Sequence, residues 1–202
     1  ADRWGTPLTF ATTPQPLAAT AVGIDFETRT RHSPIPDGQP HVHPGEGWRG
    51  KVGRLSPEEL VAFLAGNPIC RLACLDEEGW PYAVPVWFEY TDGGFYIIPR
   101  ERSAWAHYLR RDPRVALCID EERRGGRRVI VRGEATILET PNVGGRWVEI
   151  ARRMAVRYLG EHGPDYLIPT LNEPRWLVFV RPVTMRTWQG VDWARRYKHD
   201  AW

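Results

Sequence analysis

A short segment near the middle of the 202-residue chain combines side chains that could bind a phosphate group. Arg100, Arg102 and Ser103 stand immediately before residues 104–111, which have a helical pattern. Arginine makes charge-assisted hydrogen bonds to phosphate oxygens, and the N–H groups at a helix start attract anions. The segment is therefore a candidate anion site. The alternative is that the two arginines lie in a solvent-exposed loop and bind no ligand, while the serine only caps the helix.

A second stretch, Tyr82 to Tyr90, has the β-branched and aromatic residues of a strand but carries Pro85 in its interior. Proline has no N–H to donate to a sheet. It is therefore found on edge strands, at bulges, or where something other than a strand lies alongside. Pro85 predicts one of these three environments.

Histidine and cysteine residues carry weaker signals. His41 and His43 could bind a metal, but no cysteine or carboxylate at ligand spacing accompanies them, so we interpret them as loop histidines. Cys70, Cys74 and Cys118 fall in strand-like runs without a CxxC pair. This favours buried thiols in a reducing compartment over disulfides or ligands. We therefore predict no metal site.

Charge and hydropathy argue against two classes of partner. The 27 basic and 25 acidic residues leave a formal charge of +2, so general nucleic-acid binding is not expected. The arginine-rich run 123–128 contains Gly-Gly and is interpreted as a solvated hairpin tip, with an anion contact as the alternative. No apolar run approaches the roughly 20 residues of a membrane span, and no secretory signal is evident, which predicts a cytoplasmic protein.

The elements that must position these residues begin at Ser56. Ser56, Pro57 and Glu59 form the capping signature of a helix that Gly66 and Pro68 end. Short links separate the strand-like runs that follow, as in antiparallel sheets. Six such strands close most economically into a small barrel. The predicted strands are 69–75, 82–90, 95–99, 114–119, 128–138 and 175–188, with a turn at 91–94, and two further helices are predicted at 104–111 and 146–159. The predicted apolar face of the last helix consists of Trp147, Ile150, Ala151, Met154 and Tyr158.

The chain is predicted to have three regions. Residues 1–55 form an extended arm rich in proline and glycine, residues 56–188 form the barrel domain, and residues 189–202 form a tail that packs on the barrel or a partner. Apolar side chains in the arm favour docking over disorder. The ten tryptophans of the chain likewise imply large apolar surfaces that need partners. The apolar residues of the arm are Trp4, Phe10, Ile24, Phe26 and Trp48.

Two motifs, together with this order of elements, resemble a known family. The motif G-x-P-x-x-x-P-V-W spans 79–87, and the motif L-R-R-D-P-R-V-A-L spans 109–117. They resemble the pyridoxamine-phosphate oxidase-like split-barrel flavoproteins, and most closely the branch with deazaflavin-dependent reductases. The resemblance covers roughly residues 55–188. It implies a mainly β fold: a six-stranded antiparallel split barrel with flanking helices, here with an extended N-terminal arm.

The resemblance also implies a homodimer that binds flavin mononucleotide (FMN), a deazaflavin coenzyme or haem in a cleft between the subunits. A bound flavin would perform the redox chemistry on a small organic substrate, so the lack of a convincing catalytic triad is expected. The implied cofactor-binding residues lie on the Pro85 strand and from the end of the third strand into the next helix. They are Val84, Pro85, Val86, Trp87, Ile98, Pro99, Arg100, Arg102, Ser103 and Trp105.

Trp105 departs from the family pattern, because members usually carry a basic residue two positions after the serine. Either Arg100 or Arg102 takes over the phosphate contact, or the cleft binds another ring system on which Trp105 stacks, or the cleft is empty. The C-terminal substrate motif of true pyridoxamine-phosphate oxidases is also not evident, so vitamin salvage is not assigned.

Two other functions stay open at this point. A haem protein of the same fold would need an axial histidine, and a non-catalytic carrier would use an empty cleft and the arm. The candidate axial ligands within or after the barrel are His107, His162 and His199.

Overall fold

The computed structural model describes residues 51–121 and 126–190, which form an antiparallel sheet with flanking helices. The helices are α1 Pro57–Leu64, α2 Ala104–Arg111 and α3 Trp147–Leu159, and a 3-10 helix spans Gly163–Thr170. The strands are β1 Ile69–Leu75, β2 Pro81–Val86, β3 Glu89–Thr91, β4 Gly94–Ile97, β5 Arg114–Asp120, β6 Arg127–Asn142 and β7 Arg175–Gln189. Their order in the sheet is β2-β1-β5-β6-β7-β4-β3. The predicted mainly β, antiparallel fold with flanking helices is confirmed.

The predicted strand over 82–90 is two strands, β2 and β3, so the sheet has seven strands instead of six. The break falls at Trp87 and Phe88, whose side chains pack in two different hydrophobic clusters. β2 pairs with β1, whereas β3 pairs with β4, so the chain crosses from one end of the sheet order to the other. Strand propensity continues through both residues, and for that reason the sequence pattern does not show the break.

The turn between β3 and β4 forms where the sequence predicts it. Asp92 and Gly93 have positive φ values of 54° and 73°, as a two-residue hairpin turn requires. Gly94 follows, and it lies against β7. A Cβ atom at Gly94 would be 2.4 Å from Cζ of Phe179 and 2.6 Å from the carbonyl oxygen of Val180. Glycine at this position therefore lets β4 approach β7.

α1 begins with the predicted capping box. The Ser56 hydroxyl accepts a hydrogen bond from the Glu59 N–H at 3.2 Å, and the Ser56 N–H donates to the Glu59 carboxylate at 2.7 Å. Phe63 and Leu64 are the buried residues of this helix. The cap fixes the start of the helix so that these two side chains reach the core.

Two hydrophobic clusters fill the structure. The larger cluster includes residues of α1 and α2 and the inward side chains of the sheet, among them Phe63, Leu72 and Leu117. The smaller one contains the apolar face of α3, which matches the predicted face, and residues of the 3-10 helix and β7. Its buried members are Trp147, Ile150, Ala151, Met154, Ala155, Leu167 and Leu177.

The described end of the predicted arm pairs with β7. Gly53 and Gln189 exchange backbone hydrogen bonds of 2.9 and 2.8 Å, and Leu55 is buried. The rest of the predicted arm with His41 and His43, residues 122–125 and the predicted tail from residue 191 lie outside the described residues. The domain boundaries at 55 and 188 therefore stay predictions, although β7 itself continues to Gln189.

The three cysteines are free thiols. Burial raises the pKa of Cys70 to about 12 and that of Cys74 to about 11, so both are protonated at neutral pH. Cys118 is partly exposed. In the described part of the chain, no helix combines the length and the apolar character needed to cross a membrane.

We expect Gly94→Ala to lower the free energy of unfolding by about 1 to 3 kcal/mol, because its methyl group would overlap Phe179 and the β7 backbone. Chemical denaturation measures the loss. Gly66→Ala is the comparison, since a Cβ atom there would have its nearest neighbour at 3.2 Å. An equal loss in both variants would show that the approach of β4 to β7 is not tight.

Candidate functional site

The segment that joins β4 to α2 carries the predicted phosphate-binding residues, and hydrogen bonds attach it to the start of β7. The Trp176 N–H donates to the Pro99 carbonyl and the Glu101 N–H donates to the Pro174 carbonyl, both at 3.0 Å. The indole N–H of Trp176 also donates to the Glu101 carbonyl at 3.2 Å. Because Trp176 is only 2% exposed, the segment is attached directly to the core.

Arg100 and Ser103 lie at the two ends of a tight turn. The Ser103 N–H donates to the Arg100 carbonyl at 3.0 Å, which brings their Cα atoms within roughly 7 Å. Ser103 is the N-cap residue of α2, but its hydroxyl makes no capping hydrogen bond. Arg102 is exposed within the turn. The structure thus brings the three residues together at the start of a helix.

The turn borders a small open cavity of about 160 Å³. A guanidinium nitrogen of Arg100 lies 3.4 Å from a carboxylate oxygen of Glu173. The two side chains are 36% and 45% exposed, so this ion pair contributes only about 0 to 1 kcal/mol. An anion could therefore compete with Glu173 for Arg100. The cavity is lined by Arg100, Glu101, Arg102, Glu173 and Pro174.

Pro85 lies on an edge strand. Its partner on β1 is Arg71, and in the described sheet β2 has no strand on its other side. Pro85 is exposed, whereas the next residue, Val86, is buried. The edge accounts for the proline, since no ladder hydrogen bond is lost on the open side. That a ligand faces this edge stays a prediction.

Val84, Val86 and Trp105 contribute to the larger hydrophobic cluster. Trp105 is 7% exposed and Val86 is 8% exposed. Packing of this kind leaves little of the indole for a ligand, so the structure does not favour the hypothesis that Trp105 stacks on a cofactor. The rings of Tyr82 and Tyr108, 5.7 Å apart, also pack α2 against β2.

Trp87 and Ile98 pack in the smaller hydrophobic cluster. The Trp87 indole stacks on the Tyr158 ring with centroids 4.8 Å apart and an interplanar angle of 9°. The Tyr158 hydroxyl donates to the Pro68 carbonyl at 3.0 Å and accepts from the Phe88 N–H at 3.4 Å. Burial raises the pKa of Tyr158, so its hydroxyl stays protonated. These contacts fix Trp87 at the point where β2 ends.

Sequence reasoning missed the residues of β7 and its preceding loop that complete this site. Arg175 forms an isolated antiparallel bridge with Arg100, and Glu173 pairs with the same arginine. Both residues stand at least 70 positions along the chain from the turn. The only available signal was the Arg-Trp pair that opens the last strand, and it gives no cross-strand register.

The histidines proposed as haem ligands are not grouped into a site. His107 packs edge-on against Trp176 with centroids 5.2 Å apart, and His162 is 91% exposed beside Asp165. His199 lies outside the described residues. Within residues 51–121 and 126–190, no three His, Cys, Asp or Glu side chains are arranged to hold a metal.

Comparison with known families decides the classification of this barrel. The model of the pyridoxamine 5'-phosphate oxidase family matches residues 56–189. The chain belongs to the pyridoxamine 5'-phosphate oxidase family. No curated protein matches the chain in sequence.

Solved structures show that this family member shares its fold with proteins of several kinds. Protein Rv2991 from Mycobacterium tuberculosis is 25% identical, with 70% of this chain and 88% of that chain covered and a TM-score of 0.54. HutZ, the haem storage protein from Vibrio cholerae, is 20% identical, with 68% and 98% covered and a TM-score of 0.53. An F420 reductase is 20% identical, with 61% and 93% covered and a TM-score of 0.50.

The donors at the turn fit the phosphate of a flavin. Arg100 and Arg102 line the open cavity, and the Ser103 hydroxyl, which has no capping partner, follows at the start of α2. Pro85 is exposed on β2 and Trp87 packs in the smaller hydrophobic cluster, while Val84 and Val86 pack in the larger one. In this member of the pyridoxamine 5'-phosphate oxidase family, the arginines beside the cavity precede α2, and position 105 carries a tryptophan.

We expect Trp105→Lys to destabilise the fold by about 3 to 5 kcal/mol, because it removes a buried indole and places an ammonium group in the core. Thermal or chemical denaturation measures this loss, and Trp105→Phe, which keeps an aromatic ring, should lose less. If Trp105→Lys were as stable as Trp105→Phe and bound flavin more tightly, residue 105 would face the cofactor and its assignment to the core would be wrong.

Proposed function

We propose that this protein is a flavin-dependent oxidoreductase that binds FMN through the turn between β4 and α2 and acts on a small organic substrate. The observation that supports the proposal best is the hydrogen-bonded turn that places Arg100, Arg102 and the Ser103 hydroxyl together at the N-terminus of α2. Membership of the pyridoxamine 5'-phosphate oxidase family supports the same cofactor class.

The proposed roles of these residues follow from their chemistry. Arg100 and Arg102 would bind the phosphate oxygens, and Ser103 would donate its hydroxyl hydrogen to one of them. Pro99, which is buried and accepts a hydrogen bond from Trp176, would hold the turn in place. A bound flavin supplies hydride transfer, so the protein needs to position the ring and the substrate and to exclude water.

The edge of β2 is the proposed place for the ring system. Pro85 presents no N–H there, and Trp87 is fixed by its stack on Tyr158. Ile98, which directly follows β4, packs in the same cluster as Trp87. These contacts support a ring site whose shape is set before a ligand binds, which lowers the ordering cost of binding.

We further propose a homodimer in the cytoplasm. The outward face of the sheet carries exposed apolar side chains: Ile69 is 38% exposed, Ile130 is 42% exposed and Val183 is 58% exposed. Apolar side chains on one sheet face favour a protein partner, and family members are generally dimeric. The three free cysteines are compatible with a reducing compartment.

The other cofactors have less support from the described residues. A deazaflavin coenzyme would use the same phosphate chemistry and differs from FMN in its ring and tail. Haem would need an axial ligand, and His107 packs against Trp176 while His162 projects into solvent. The structural neighbours share the fold alone at identities of 20 to 25% and do not decide between these cofactors.

We expect Arg102→Ala to weaken FMN binding roughly 10- to 150-fold, because a charge-assisted hydrogen bond contributes about 1.5 to 3 kcal/mol. Quenching of flavin fluorescence on titration measures the affinity. Arg152→Ala is the matched control, since Arg152 is an exposed arginine of α3 that pairs with Glu149 in the described part of the chain.

Three results would contradict this assignment of the cofactor site. One is an equal loss of affinity in Arg102→Ala and Arg152→Ala. Another is a purified protein with a strong Soret band, which would indicate haem. The third is a protein that binds no flavin at micromolar concentration.

We expect sedimentation velocity to show a dimer at micromolar protein concentration. Ile130→Lys, which places a charge on the outward face of β6, should shift the species toward monomer by unfavourable burial of an ammonium group. Val156→Lys is the control on exposed α3 surface. A monomeric wild-type protein would contradict both the proposed dimer and the proposed cleft between its subunits.

A further inference from the structure

We propose that Arg175 is a second cation of the phosphate site, paired across the strands with Arg100, and that the two arginines together bind the phosphomonoester of the ligand. This inference rests on the proposed function and extends it to a residue that neither the motifs nor the family resemblance indicated. The ligand class is a phosphomonoester dianion.

The backbone geometry places the two arginines side by side. Arg100 and Arg175 are partners in an antiparallel bridge. Partners in such a bridge project from the same face, with Cβ atoms roughly 4.5 to 5.5 Å apart. Hydrogen bonds on either side of the bridge, from Trp176 to Pro99 and from Glu101 to Pro174, fix this register.

Two like charges in this arrangement repel each other, and directly opposed like charges destabilise a sheet. Glu173 lies 3.4 Å from Arg100, so one carboxylate faces the pair from the preceding loop. Burial lowers the pKa of Arg175, the Arg100 charge lowers it further, and Glu173 and Tyr166 act in the opposite direction. Glu173 and Tyr166 therefore offset only part of the combined effect of burial and of the Arg100 charge on the pKa of Arg175.

Arg175 is also incompletely hydrogen-bonded. One terminal nitrogen donates to the Thr170 hydroxyl at 2.7 Å, and the guanidinium lies 5.3 Å from the centroid of the Trp147 ring. Its Nε atom is buried and has no hydrogen-bond partner among the described residues. This atom is not accessible to a ligand, so the support for the proposal is the juxtaposition of the two guanidinium-bearing residues. A phosphate bound between the two guanidinium groups would relieve their repulsion.

A purely structural role for Arg175 is the competing explanation. The contacts with Thr170 and Trp147 attach the 3-10 helix and α3 to β7, and their loss would destabilise the fold whatever the ligand. A structural arginine would affect all ligands alike. A phosphate-binding arginine discriminates between ligands with and without a phosphate, and that difference is measurable.

The experiment compares FMN with riboflavin, which has the same ring system but no phosphate, in wild type, Arg175→Gln and Arg175→Lys. We expect Arg175→Gln to weaken FMN binding about 10- to 100-fold and riboflavin binding less than about 3-fold. Arg175→Lys keeps the charge and should recover part of the FMN affinity. Equal losses for FMN and riboflavin, or unchanged FMN binding, would overturn the proposal.

A second measurement needs no flavin. Inorganic phosphate, compared with chloride at matched ionic strength, should raise the melting temperature of the wild type and have much less effect on Arg175→Gln. If Arg175→Gln does not fold, the same comparison is made with Arg175→Lys and with Arg100→Gln, which leaves Arg175 in place. An equal phosphate effect in all folded variants would contradict the proposal.

The two measurements separate failure of this inference from failure of the proposed function. A wild type that binds no flavin but gains stability from phosphate, with that gain lost in Arg175→Gln, would refute FMN and support the anion site. A wild type that binds FMN with an affinity independent of residue 175 would refute the anion pair alone. A wild type that responds to neither ligand would refute both.

Discussion

The attachment of the β4–α2 segment to the start of β7 is the constraint on which the candidate site depends. Two backbone hydrogen bonds and one from the Trp176 indole fix three consecutive residues, Pro99 to Glu101, against a strand that belongs to both hydrophobic clusters. The turn to Ser103 and the start of α2 follow directly from that position. A rigid strand thus places a polar loop, which makes the positions of Arg100 and Ser103 a property of the fold.

The sheet of the described residues has two open edges, β2 and β3. β7 pairs with β6 on one side and β4 on the other, so the short hairpin of β3 and β4 ends the sheet on that side and β2 ends it on the other. Edge strands invite pairing with other chains unless they are short, charged or interrupted by proline. Pro85 on β2 and the three-residue length of β3 are both devices of this kind.

Local signals predicted most of the fold. The capping box at Ser56, the turn at Asp92 and Gly93 and the apolar face of α3 each depend on residues close in sequence, and the structure has them at the predicted places. The break after Val86 was missed, because Trp87 and Phe88 have high strand propensity and only tertiary packing separates them. Arg175 was missed for a related reason: cross-strand register is a non-local property.

The burial of Trp105 and the pairing of Arg100 with Arg175 both affect the charge at the start of α2. An aromatic side chain at position 105 anchors the first turn of α2 in the core, where a lysine would have to extend to the surface to keep its charge hydrated. Positive charge near the helix start comes instead from Arg100 and Arg102 of the turn, with Arg175 opposite Arg100 on the neighbouring strand. Strand pairing fixes the backbone of Arg100 and Arg175, so folding, and not ligand binding, brings these two like charges together. In the proposed phosphate site, a dianion would therefore be favoured over a monoanion, because each of its charges would face one guanidinium group.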